Sequence, residues 1–218
     1  MPLSPYSVLS LDELKDYLGV AGDAKNGALE GIANRVSDEI EQYLGRQIVK
    51  RPSALTEYHT MRASGSAVCS PELQTLDWPI IEVTSVHEDT AVPRTYGADS
   101  VLTVDVDYEL VKPTGLVRRI QGLGLPIRWD TGSRAIRIVY TAGYGTPADV
   151  PARIKGVALR YAALIWAEVR NGSFGVSGQS DTLGNFTRFV PAQLTEAMKE
   201  TLKPERRGSI WQSGERAA

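Results

Sequence analysis

What most constrains this chain is a pair of long helical periods held apart by about a hundred residues that have none. From about Ala24 to Leu44 the apolar set Leu29, Ile32, Ala33, Val36, Ile40, Tyr43 and Leu44 recurs every three or four positions, which gathers it on one stripe of a helix. Gly45 follows where a left-handed cap belongs. From about Asp149 to Arg170 the set Val150, Ile154, Val157, Ala158, Tyr161, Leu164 and Ile165 repeats the period, with Asp149 placed to cap and Pro151 tolerated in the first turn. Burying one large apolar side chain stabilises by roughly 1.5 to 3 kcal/mol, so such stripes must find partners, and packing outweighs intrinsic propensity.

A shorter helix precedes them. Ser10 and Glu13 have capping-box spacing, Leu11, Leu14, Tyr17 and Leu18 form a stripe, and Gly19 closes it, predicting a helix over 11–18. A short turn joins it to the helix over 24–44, so the two form an antiparallel hairpin against which the helix over 149–170 can pack. A fourth, short amphipathic helix is expected over 192–202, after Pro191.

Between the two long periods, Val, Thr, Tyr and Pro become frequent and turn signals recur about every ten residues. Strands are expected at Leu55 to Thr60, Ile81 to His87, Tyr108 to Val111, Gly115 to Ile120 and Ala135 to Thr141, with a hairpin turn at Lys112-Pro113-Thr114-Gly115. Leu125-Pro126 and Trp78-Pro79 read as extended breaks. The fold class is α+β: one elaborated domain over 1–218, with a helical bundle from 8–46 and 148–170, a β-rich insertion over 47–147, and a flexible Gly/Ser-rich loop, short helix and C-terminal arm over 171–218.

The inventory for catalysis is thin. Two histidines, His59 and His87, fall in expected strands without a second ligand at metal-binding spacing, and Cys69 sits in a loop with no signature around it. The glycines of 121–126 and 141–146 complete neither a dinucleotide fingerprint nor a phosphate loop. No cofactor and no metal are expected. A lone cysteine and no basic-then-apolar opening segment favour a reducing, cytosolic setting. Lys and Arg number 24 against 26 Asp and Glu, a net charge of −2, which removes the basic balance of a non-specific nucleic-acid binder.

Three groups remain as binding candidates. Arg118 and Arg119, with Arg128 and Arg134 near in sequence, read as a local basic face: solvated, lining a lumen, or meeting an acidic partner. The turn Gly122, Leu123, Gly124 and Leu125 offers glycine and apolar residues to a partner. In the tail, Ile210 and Trp211 beside Arg206 and Arg207 are residue types that concentrate binding energy when desolvated.

Three segments, taken in order, resemble the head-to-tail connector proteins of tailed bacteriophages. They are Leu11-Asp12-Glu13-Leu14-Lys15-Asp16-Tyr17-Leu18-Gly19, then Ile40-Glu41-Gln42-Tyr43-Leu44-Gly45-Arg46, then Ile138-Val139-Tyr140-Thr141-Ala142-Gly143-Tyr144 leading through Pro147-Ala148-Asp149-Val150-Pro151 into the third helix. The resemblance is to the long form with a β insertion and covers roughly residues 8 to 172. It implies a structural virion protein assembled in the host cytoplasm: a ring of twelve copies in the neck, joining the capsid portal to a stopper or tail-terminator protein and prolonging a channel through which DNA passes without specific binding, with no membrane partner. It implies no enzyme. On that reading Arg206, Arg207, Ile210 and Trp211 meet the portal and Gly122 to Leu125 face the tail. The alternatives are another neck piece, such as a stopper or tail-completion protein, and a small enzyme with a β-rich pocket.

Overall fold

The computed structural model describes residues 2–61, 71–171, 179–180, 186–187, 193–206 and 214–216. The chain forms two compact units, Met1–Gly45 with Thr146–Arg206, and Arg46–Gly145 with Arg207–Ala218.

In the first unit, α1 (Leu11–Leu18) starts where its capping box lies: Ser10 Oγ accepts the Glu13 N–H at 3.2 Å and Glu13 Oε2 accepts the Ser10 N–H at 3.1 Å. Gly19 ends it at φ 64°. The second helix, α2 (Asn26–Leu44), buries Leu29, Ile32, Ala33, Val36, Ile40 and Leu44, the expected stripe apart from the half-buried Tyr43, and Gly45 ends it at φ 70°. Ser37, a polar intruder on that stripe, donates to Ala33 O at 2.7 Å and accepts the Val8 N–H at 2.9 Å, tying down the N-terminal segment.

The third helix begins later than its sequence suggested. Asp149 caps a 3₁₀ turn, Pro147–Asp149, by accepting from the Thr146 N–H and hydroxyl at 2.9 and 2.8 Å, and α3 runs from Ala152 to Asn171. The acceptor is spent one turn early. The fourth helix, α4 (Glu196–Leu202), is capped by the Thr195 hydroxyl and not led by Pro191, which lies outside the described residues. Contacts join α1 to α2 and α3, α2 to α3, and α3 to α4. Across them, Lys155 donates to Glu13 at 2.6 Å and the buried Tyr161 hydroxyl donates to Glu39.

The second unit carries β1 (Leu55–Met61), β2 (Glu72–Gln74), β3 (Ile80–Glu88), β4 (Val101–Leu102), β5 (Tyr108–Val111), β6 (Leu116–Gln121), β7 (Leu125–Pro126) and β8 (Gly132–Ala142). In the Gly/Ser-rich stretch, expected to be a plain flexible loop, β9 (Gln179–Ser180) and β10 (Phe186–Thr187) pair antiparallel. The C-terminal arm contains β11 (Gly214–Arg216), which lies antiparallel on β1 with Tyr58 opposite Glu215. One sheet has the order β11-β1-β8-β3-β4; a second has β2-β6-β5 with β7 also on β6, and every pairing is antiparallel. Thus Leu125-Pro126, read as a break, is the partner of Ile120 and Gln121.

The period-two pattern of β8 decides what lies between the sheets. Ile136, Ile138 and Tyr140 are fully buried, and they cluster with Leu73, Val117 and Tyr108 of the second sheet and with Ile80, Val86 and Trp129. Two glycines are required on backbone grounds. At Gly115 (φ 68°), which ends the hairpin turn between β5 and β6, a Cβ would stand 2.3 Å from Thr75 Oγ1. At Gly143 (φ 103°) it would stand 2.8 Å from Lys50 N and 2.9 Å from Ile48 O.

Candidate interaction surfaces

The two histidines, His59 and His87, are each held in bonds within the fold. His59 is 1% exposed, and its Nε2 lies 2.9 Å from Glu57 Oε1. Glu57 Oε2 accepts the Leu76 N–H at 2.9 Å and the Tyr140 hydroxyl at 3.0 Å, and that hydroxyl accepts the Asp77 N–H at 3.0 Å. Burial, with Glu57 and Asp77 alongside, pushes the Tyr140 phenol far above the ordinary tyrosine value, so it remains a donor. Asp77 in turn accepts the Gln47 N–H at 2.6 Å. This chain of satisfied groups crosses the interior of the second unit and replaces the solvation that its carboxylates lose.

His87 is also committed. Arg137 Nη2 stands 2.8 Å from its Nε2 and can only donate, so Nε2 is the acceptor and Nδ1, 3.1 Å from Ser100 Oγ, carries the proton. Burial first, then Arg137, lowers its pKa and keeps the ring neutral. Cys69 lies outside the described residues. Among the described residues no cluster of three or more His, Cys, Asp or Glu side chains is able to hold a metal ion, and no helix is long and apolar enough to cross a membrane.

The basic face expected from Arg118, Arg119, Arg128 and Arg134 does not form. Arg118 and Arg119 are neighbours on β6 and so project from opposite faces. Arg118 pairs with Glu72 at 2.6 Å and Glu109 at 3.3 Å, both on flanking strands; Arg119 pairs with Glu88 at 2.9 Å and Asp107 at 3.7 Å and lies 6.0 Å from the Trp129 ring centroid. Their charge is answered within the chain. Arg128 is exposed.

Arg134 belongs to another cluster. Its guanidinium carbon lies 3.9 Å over the Tyr58 ring, Tyr58 and Tyr96 rings are 5.6 Å apart, and Arg137 lies 4.7 Å over Tyr96. The stack is fixed by the loop after β3, where Asp89 accepts the N–H groups of Tyr96, Ala91 and Thr95 at 2.8, 2.8 and 3.0 Å, which lower its pKa. Arg94 donates to Ser133 O at 2.8 Å and to Asp89 O, and the Tyr96 hydroxyl donates to Arg134 O at 2.7 Å. Tyr96 and Arg134 are both left-handed, at φ 49° and 53°. Of this group sequence reasoning found only Arg134. The others come from β1, β8 and the 89–97 loop, and no local spacing announces them.

The turn Gly122 to Leu125 is a hairpin tip between β6 and β7, with Leu123 99% and Leu125 65% exposed. Tyr108 opposite Arg119, and Ile120 opposite Pro126, bring the 103–107 loop to the same end of the sheet. Val104 and Val106 there are exposed too, so four apolar side chains stand in water at one edge. In the first unit Arg206 is exposed, its guanidinium carbon 5.2 Å from the Tyr43 ring centroid. Arg207, Ile210 and Trp211 lie outside the described residues.

No protein-family model matches the chain, and no curated protein does. Solved structures do. The chain is similar over 97% of its length to a chain in the neck of an empty gene transfer agent (GTA) particle computed with C6 symmetry, with 17% identity, 97% of that chain covered and a TM-score of 0.53. It is similar to a chain in the virion of a native GTA particle at 17% identity and TM-score 0.53, covering 97% and 95%, and to one in the neck of a native GTA particle computed with C12 symmetry at 16% and 0.52, covering 97% and 96%. At such identity the fold is what is shared.

Proposed function

We propose that this chain is a structural subunit of a phage-type neck: a ring that joins the capsid portal to the tail and prolongs the channel for DNA. The observation that carries the reading is the shared fold with chains of GTA necks and virion over nearly the full length of both partners, in particles computed with C6 and C12 symmetry. A cyclic assembly needs two different surfaces per subunit, since each copy meets its neighbours head to tail.

Two physical features support it. The Arg118 and Arg119 charges are matched by Glu72, Glu109, Glu88 and Asp107, and the net charge is −2, so a lumen built from such subunits would not grip phosphates that must slide past. Of the groups that the enzyme alternative required, the two histidines, His59 and His87, are buried and hydrogen-bonded within the chain. In this reading the tip Gly122, Leu123, Gly124 and Leu125 meets the stopper or tail-terminator side, and Arg206, Arg207, Ile210 and Trp211 meet the portal. The place of action is the virion neck, after assembly in the host cytoplasm. Electron microscopy of the purified chain mixed with its cognate portal tests the reading. A cyclic density capping the portal is the expected result; a chain that neither binds portal nor forms rings at any concentration overturns it. Trp211→Ala with Arg207→Glu should weaken portal binding at least tenfold if the tail assignment is right, and equal binding by the variant refutes that assignment.

A further inference from the structure

The helices of the first unit divide their charge unequally. Over 11–44, which holds α1 and α2, the chain carries eight acidic and three basic side chains; over 152–171, the span of α3, it carries four basic and one acidic. Ion pairs absorb part of this: Lys15 with Asp23 at 3.2 Å, Arg35 with Glu39 at 2.8 Å, Lys155 with Glu13 at 2.6 Å and Arg153 with Glu205 at 3.8 Å. Asp12 and Asp16 on α1, and Arg160 and Arg170 on α3, are exposed and make no ion pair or hydrogen bond among the described residues.

Their positions turn these groups outward. Asp12 and Asp16 each stand two residues from the buried Leu14, hence about 160° around the axis from it, and being four apart they lie one above the other. Tyr17 beside them is 50% exposed. On α3, Arg160 and Leu164 are likewise four apart, and Leu164 is 41% exposed, while Ile154, Val157, Ala158, Tyr161 and Ile165 bury the other side. Both charged faces therefore look away from the core that α1, α2 and α3 share, and within one copy they do not meet.

We infer that these faces are the two halves of one head-to-tail contact between copies of this chain: Arg160 and Leu164 of one copy against Asp12, Asp16 and Tyr17 of the next. The inference rests on the ring reading above and names the surfaces that would close it. Like faces repel and unlike faces attract, so the contact has a direction and repeats from copy to copy. Each half also couples its charge to an exposed apolar side chain, Leu164 or Tyr17, whose burial adds to the attraction. DNA is the poorer partner for the α3 face. Phosphates are held by rows of cations, and one turn to either side of Arg160 stand Gly156 and Leu164.

The test uses the full chain with Arg160→Glu, with Asp16→Lys and with both. Sedimentation velocity should show self-association that each single reversal weakens about tenfold and that the double variant returns to within about threefold of the parent. Arg160→Gln and Asp16→Asn, each expected to weaken it about threefold, replace any reversal that lowers the melting temperature. Single reversals without effect, a double variant no better than the singles, or a parent still monomeric at about 1 mM each overturn the contact. Capture of portal or of duplex DNA that is lost in Arg160→Glu while self-association is unchanged assigns the face to that partner and overturns it too. Electron microscopy of the same proteins with portal keeps the two readings apart. Rings on portal that survive both single reversals overturn this contact and leave the neck role standing; a parent that never caps portal, with self-association still restored by the double variant, overturns the neck role and leaves the contact in place.

Discussion

Replacing Tyr140 with Phe removes one oxygen from the interior of the second unit and leaves the ring in place. That oxygen accepts the Asp77 N–H at 3.0 Å and donates to Glu57 Oε2 at 3.0 Å. Its loss orphans a buried donor, at a cost of about 1 to 3 kcal/mol, and strips a charged acceptor of one of its bonds, a further loss of about 1.5 to 3 kcal/mol. The two overlap, because Glu57 retains His59 and the Leu76 N–H, so about 3 kcal/mol is expected in all. With a urea dependence of about 2 kcal/mol per molar, the midpoint should fall by about 1.5 M. Trp129 and Trp78, buried in the same unit, report the transition by fluorescence. Tyr43→Phe serves as the reference, since its half-buried hydroxyl makes one bond, to Lys199 O at 3.0 Å, and a loss of under 1.5 kcal/mol or so is expected. A Tyr140→Phe midpoint within about 0.3 M of the parent would refute the view that this network, and not apolar packing alone, holds the sheets together.

Three further outcomes are expected. Gly143→Ala combines a positive φ with a Cβ placed 2.8 Å from Lys50 N, and it should destabilise by about 3 kcal/mol or more, read as lost soluble yield and a lowered melting temperature. The Tyr161 phenol is pushed up to about 12, by burial first and then by Glu39. Because the folded value is the higher one, that contribution is complete below the unfolded value near pH 10 and is lost as pH rises from about 10 to 12; Tyr161→Phe should flatten the melting-temperature decline across that window, and a parallel decline would contradict the assignment. Leu123→Ser with Leu125→Ser should leave stability within about 0.5 kcal/mol, because both side chains already stand in water, yet should reduce capture of the tail-side neck component; unchanged capture removes the tip from that contact.

The helices were legible in sequence because their signals are local. Ser10 and Glu13 are three positions apart, Gly19 and Gly45 sit just past the stripes they end, and each acts within one turn. Asp149 shows the limit of that logic: the right acceptor was recognised, but Thr146 claims it before α3 begins. The alternation of Ile136, Ile138 and Tyr140 likewise gave β8 its buried face, and Tyr108–Val111 has the expected bounds. What sequence does not disclose is pairing at a distance. Arg118 looks like free charge until β2 brings Glu72 beside it from 46 positions away. His59 looks like a handle for chemistry until folding places Glu57 and Tyr140 around it. The Tyr58, Tyr96 and Arg134 stack is assembled from three separate stretches, and strands as short as β7 and β11 have too few residues to show a period.

Where the chain first passes into the second unit and where it leaves again, the backbone runs side by side: Val49 bridges Tyr144, the Lys50 N–H donates to Tyr144 O at 2.8 Å, and the Tyr144 N–H donates to Ile48 O at 2.7 Å. Gly143 is what allows that approach. The ends of the stretch threaded between these two points are therefore closed on one another by backbone bonds. Residues between the strands can lengthen, shorten or be exchanged at modest entropic cost, because the distance to be closed is already set. Loops within that span are thus free to diversify without altering the local signals, Ser10 with Glu13, Gly19 and Gly45, that delimit α1 and α2.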